Sequence, residues 1–214
     1  MPKGADNSTL IIDAARDLFL ERGFAATSMD TVAQAAGVSK ATVYAQFGSK
    51  AQLFAAMVER EGEQQTLALN SLPDGATTEV LQHFGRVAAE LLLSHHVVAM
   101  QRIVTSEATR TPGIGDLFFI NGPEHLIDTL AAFLDRAMRR GDLRAASPRL
   151  AAAQFLAIIV ADLQFRALVG VGGRSTARQR NQVAASGVDV FLRGYAPERA
   201  VSLQRTSSDE DASH

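Results

Sequence analysis

Apolar residues recur along this chain at helical rather than alternating spacing. Leu10, Ile11, Ala14, Ala15, Leu18 and Phe19 form one stripe, with Arg16, Asp17 and Glu21 on the other side. Gly23 follows, a residue suited to the positive φ that ends a helix. The next helix is expected from Thr27, whose hydroxyl can cap it while Asp30 completes a capping box. A third starts after Ser39, and a fourth starts at Ser49, with Gln52 in the capping-box position, and runs to about Leu69. Leu72-Pro73-Asp74-Gly75 is the clearest break. Beyond it the pattern predicts helices over 76–93, 95–110, 114–120, 123–140, 148–169 and 176–194. Thr111-Pro112-Gly113, Gly122-Pro123, Arg140-Gly141-Asp142, Ser147-Pro148 and a turn from Gly170 to Ser175 separate them. The fold class is all-α, with nine or ten helices. The polar, charged end of the chain, residues 197–214, is expected to be disordered.

Composition narrows this picture. Of 214 residues, 47% are hydrophobic, enough for a sizeable core. The 21 basic residues nearly balance 23 acidic ones, so gross charge does not announce a nucleic-acid binder. With no cysteine there is no disulfide framework, thiolate nucleophile or thiolate metal site, which fits a reducing cytoplasm. The opening MPKGADNSTL has no signal-peptide pattern. The longest apolar stretch, AAAQFLAIIVA at 151–161, stops at Asp162 and falls short of the ~20 apolar residues of a membrane span. A soluble, cytoplasmic chain with no membrane partner is expected.

Residues 28–47 meet the needs of a helix-turn-helix. Ala33 is small where the two helices cross, Gly37 tolerates the positive φ of a tight turn, and Val38 can plug the angle between them. Val43 can face inward onto Val32 and Ala36, leaving Lys40, Ala41, Thr42, Tyr44, Ala45 and Gln46 outward. That set is small or hydrogen-bonding with one cation, and it suits a helix in a major groove. Tyr44, Lys40 and Lys50 are in position for phosphates. A plain helical hairpin with a glycine turn fits the same spacing, and the formal charge of residues 1–50 is zero, 5 basic against 5 acidic.

The run IIDAARDLFLERGFAATSMDTVAQAAGVSKATVYAQFGSKAQLFAAMV, residues 11–58, resembles the tetracycline-repressor (TetR) family of bacterial transcriptional regulators. Its parts match in order: ERGF closing the first helix, a Thr-Ser start, AGVSKATVY, and FGSKAQLF. The resemblance implies a homodimer with an N-terminal DNA-binding head (1–50) on a helical effector-binding and dimerisation domain (51–196). By position it implies that Thr27, Ser28, Tyr44 and Lys50 touch phosphates, while Ser39, Lys40, Thr42 and Gln46 face a roughly palindromic operator in double-stranded DNA. Two positions depart from the family pattern, Ala41 where glycine is frequent and Gln46 where histidine or an aromatic residue is common. The arginine usual near the start of the first helix is also missing around Ser8-Thr9. The family usually dimerises through its last two long helices, which here offer Phe155, Ile159, Asp162, Leu163 and Arg166, then Val188, Phe191 and Leu192.

A small-molecule effector would sit among the central helices. The apolar candidates are Phe84, Leu91, Met100, Ile103 and Val104, with Phe118, Phe119, Phe133 and Phe155. Arg102, Glu107 and His96 are candidate polar contacts. No cofactor and no metal are expected: His95 and His96 diverge by about 100° on a helix, and no carboxylate completes a ligand set. The reading is a DNA-binding regulator, a repressor released by its effector. A helical dimer that binds a protein partner is the alternative that the neutral head supports. An enzyme would need a nucleophile-base pair, paired acids or a phosphate loop, and Gly170-Val171-Gly172-Gly173 follows no strand.

Overall fold

A computed structural model of the chain describes residues 6–70 and 75–197. The expected disordered tail lies outside those residues, except for its first. Among the described residues there are ten α-helices and no strand. They are α1 (Asn7–Ala26), α2 (Met29–Ala36), α3 (Lys40–Phe47), α4 (Lys50–Asn70), α5 (Thr77–Leu92), α6 (His95–Glu107), α7 (Ile114–Asn121), α8 (Pro123–Arg139), α9 (Pro148–Val169) and α10 (Ala177–Gly194). Local chemistry sets most of the ends. Ser39, Ser94 and Ser147 accept from the backbone N–H three residues on, and Thr176 and Gln179 form a complete capping box. Gly23, at φ 81°, interrupts α1.

Two hydrophobic cores result. The head-side core joins α1, α2 and α3 to the first turns of α4, through Leu53, Phe54 and Met57, and to Met100, Val104 and Ile114 of α6 and α7. Phe19, Phe24 and Phe54 meet there with ring centroids 5.5–5.7 Å apart. The head's packing therefore does not stop at residue 50. The distal core joins α5, α8, α9 and α10 around Phe84, Phe155 and Phe191. A Cβ on Gly187 would lie 2.9 Å from the backbone of Ile158 and Ile159, so α10 approaches α9 closely only because that side chain is absent.

α9 is long and apolar enough to cross a membrane, a longer element than the 151–161 stretch alone suggests. Its Phe155 and Ile159, fully buried, belong to the distal core. A break at Ala161, φ 45° and ψ −136°, turns its last two turns. Such a torsion is costly for a residue with a Cβ.

Candidate DNA-binding head and ligand cavity

The turn between α2 and α3 has the geometry its residues imply. Gly37 sits in the left-handed region at φ 67° and ψ 27°, and its N–H donates to Ala33 and Gln34. Val32 and Val43 are fully buried and Ala33 nearly so, with Ala36 and Val38 packed against them. Val43 is the buried residue of α3, and Lys40, Ala41, Tyr44, Ala45 and Gln46 are exposed on its outer side. Ser39 is also exposed, but its hydroxyl caps α3 and bonds the Thr42 hydroxyl at 2.8 Å, and Thr42 is half-buried.

Two of the eight expected DNA contacts, Thr27 and Lys50, are turned inward. Thr27 is 1% exposed, and its one hydroxyl proton points to the Gly23 carbonyl (2.9 Å), with the Leu18 carbonyl also within reach (3.2 Å). It therefore neither caps α2 nor reaches a phosphate. Ser28 is the cap, accepting from the Thr31 N–H at 3.0 Å. Lys50 turns inward. Its Nζ donates to the carbonyls of Phe24 (2.7 Å), Thr27 (3.0 Å) and Ala25 (3.4 Å) and lies 4.4 Å from the centre of the Phe24 ring. Burial lowers its pKa, the Glu107 carboxylate of α6 acting the other way. With two close carbonyl acceptors and a third at 3.4 Å, the ammonium is directed at backbone rather than outward. Lys50 is a clamp that fixes the end of α1 to the start of α4.

Lys40 keeps its outward place but is paired. Its Nζ lies 2.8 Å from Asp30 of α2, and that hydrogen bond raises its pKa. Both side chains are largely exposed, so solvent screens the pair and a phosphate can compete for the lysine.

Behind the head, where the two cores meet, lies a cavity of about 60 Å³. Val58, Met100 and Phe118 line it from the head side, and Leu92 and Leu126 from the distal side. Among the described residues, Leu91, Val97 and Pro123 add to its apolar wall, and Glu61 and Gln101 are its two polar side chains. α4 comes close to the α7–α8 junction beside it: a Cβ on Gly122 would lie 3.2 Å from Val58, and one on Gly62 would lie 3.2 Å from the Asn121 carbonyl.

Of the nine expected pocket residues, Leu91, Met100 and Phe118 line this cavity. Phe84, Phe133 and Phe155 are packed in the distal core, Val104 and Ile103 belong to the head-side core, and Phe119 is exposed. The polar candidates also lie elsewhere. Arg102 donates to the Leu168 and Ala167 carbonyls at the end of α9, Glu107 is buried near Lys50, and His96 is exposed. Glu61, Val58 and Leu126 were not among the expected residues. Their signal is a helix-face one: Val58, Glu61 and Gly62 share a face of α4.

The interface candidates divide the same way. Phe155, Ile159, Val188 and Phe191 are at most 2% exposed, sealed within the subunit's own core, and cannot meet a partner. Leu163 and Leu192 are half-buried, and Asp162 and Arg166 pair with each other on the surface. The exposed apolar residues are instead Leu150, Ala153 and Ala157 on α9, Phe165 and Val169 beyond its break at Ala161, and Val190 on α10.

Two family descriptions match the chain. Residues 11–57 match the tetR family of bacterial regulatory proteins, and residues 79–197 match the C-terminal domain of AefR-like transcriptional repressors. The chain belongs to the TetR family. Among solved structures, the flavonoid-responsive regulator FrrA is 36% identical over 90% of this chain and 98% of its own, with a TM-score of 0.75. A TetR regulator from Agrobacterium tumefaciens is 26% identical over 91% of this chain and 97% of its own, with a TM-score of 0.72. The transcriptional repressor Rv3405c of Mycobacterium tuberculosis is 38% identical over 100 residues, 46% of this chain and 53% of that protein. The transcriptional activator FasR of Mycolicibacterium smegmatis is 40% identical over 60 residues, 28% of this chain and 27% of that protein. The matched part is about half of Rv3405c and about a quarter of FasR.

Proposed function

We propose that this TetR-family regulator binds a roughly palindromic operator as a homodimer, represses transcription, and is released by a small apolar effector in the cavity between the two cores. The observation that carries the reading is α3, anchored by Val43 and exposed along Lys40, Ala41, Tyr44, Ala45 and Gln46. In a major groove, Gln46 and Lys40 reach base edges, with Thr42 and Ser39 near them, while Tyr44 and Ser28 meet phosphates. Two half-sites require two heads, and the exposed apolar residues between Leu150 and Val169 offer apolar surface for a two-fold contact, with Phe165 68% exposed. Repression is favoured by the match of the larger domain to AefR-like repressors. FrrA's response to flavonoids supports an aromatic effector here.

Titration against fragments of the gene's own promoter at several salt concentrations tests this. The expected result is a protected palindrome and an affinity that falls steeply with salt. Gln46→Ala should change which bases are preferred, whereas Tyr44→Phe should weaken every sequence alike. A monomer with no preference for any promoter fragment would end the reading and leave the protein-partner alternative.

A further inference from the structure

Among the described residues, the cavity's one carboxylate is also a tie to the head. Glu61 lines the cavity from α4, and its side chain is only 12% exposed. Its oxygen lies 3.6 Å from Nη1 of Arg16, on α1. Arg16 has two closer partners, both on α1 itself: Asp17 at 3.1 Å and Asp13 at 3.2 Å. Glu61 is thus the most distant of its three carboxylates and the one reaching it from another helix. Burial costs the Arg16 charge, yet the three carboxylates together raise its pKa. Two further polar links join α1 and α4: the Lys50 clamp on the carbonyls of Phe24 and Ala25, and Arg60, which donates to Asp13 and to the Thr9 carbonyl.

The rest of the wall is apolar apart from Gln101, whose side-chain oxygen accepts from Gln164 at 3.3 Å. A ligand placed there is met by hydrocarbon, the Gln101 amide and one acceptor-only group, the Glu61 carboxylate. Resting on the effector reading above, we propose that Glu61 selects an apolar ligand carrying a hydrogen-bond donor, an ammonium or a hydroxyl, and that this donor displaces Arg16. Arg16 then falls back on Asp13 and Asp17, and α1 keeps only the Lys50 and Arg60 links to α4. An anionic ligand is refused by the same carboxylate. At about 60 Å³ the cavity is less than half the ~150 Å³ void that admits benzene, so a ring must also part the α4 contact with the α7–α8 junction. Displacement of Arg16 and widening of the cavity therefore act on the same helix.

Four probes with one ring test this on the full chain by calorimetry: benzylamine, benzyl alcohol, toluene and benzoate. Benzylamine and benzyl alcohol should bind on the order of tenfold tighter than toluene, as a hydrogen bond to a charged group implies, and benzoate more weakly than toluene. Glu61→Gln should erase the preference for benzylamine. Arg16→Gln should tighten benzylamine, by removing its competitor, and weaken promoter binding without any ligand. Leu92→Phe, which fills the cavity, should block all four. If toluene or benzoate binds as tightly as benzylamine, or Glu61→Gln keeps the preference, the role of Glu61 is refuted while the cavity stands. If Arg16→Gln leaves benzylamine binding unchanged, the exchange is refuted. If Leu92→Phe blocks none of the four, the cavity reading fails, and this inference with it.

Discussion

The head-side and distal cores are built by different means. The head-side core is closed by polar clamps as well as rings: Lys50 on three carbonyls, Thr27 on that of Gly23, and Arg60 on Asp13. The distal core relies on close backbone approach, with Gly187 against α9 and Gly85 facing Val188 and Phe155. The first resists internal rearrangement because each donor has a specific acceptor. The second is tight because it has no room. The cavity lies between them and is edged by one example of each device, the Glu61–Arg16 pair and the close approach of Gly62 and Gly122.

Substitutions can break or sharpen this contrast. Phe54→Ala removes the ring shared by Phe19 and Phe24 and should cost about 3–5 kcal/mol of stability. Amide exchange should then accelerate in α1 to α3 more than in α10. Equal acceleration in α10 would mean that the two cores unfold as one unit. Gly187→Ala should cost about 1–3 kcal/mol by pushing α10 from α9, with the loss of protection centred on those helices. Lys50→Met should cost about 1–3 kcal/mol in thermal or denaturant unfolding. Its slope of log affinity against log salt should match the wild type, because the ammonium contacts carbonyls; a slope shallower by about one unit would restore Lys50 as a phosphate contact. Asp30→Asn has the smallest effect. It frees Lys40 and should tighten binding to all DNA sequences a few-fold, with a slightly steeper salt dependence.

Local chemistry made much of this legible. The turn at Gly37, the start of α3 after Ser39 and the inward Val43 each follow from one residue and its near neighbours, and all three hold in the structure. Thr27 and Ser28 can both cap α2, and the choice depends on the Gly23 and Leu18 carbonyls, four and nine residues back. Lys50 matches a phosphate-binding pattern, yet its direction depends on where α1 ends. α9 is apolar on nearly every side, so periodicity could not separate the inward Phe155 and Ile159 from the outward Leu150 and Phe165. The cavity was the hardest feature to foresee. Aromatic residues mark where packing succeeds, whereas a void forms where Gly62 and Gly122 bring backbones together and neighbouring side chains fall short.

The Lys50 clamp has a mechanical consequence. It binds the recognition unit to the root of a 21-residue helix, roughly 32 Å long. A unit so fastened cannot swivel like a flag on a pole and must follow any lean of the shaft. A lean of about 5° carries one end of such a shaft nearly 3 Å past the other, a full hydrogen-bond length.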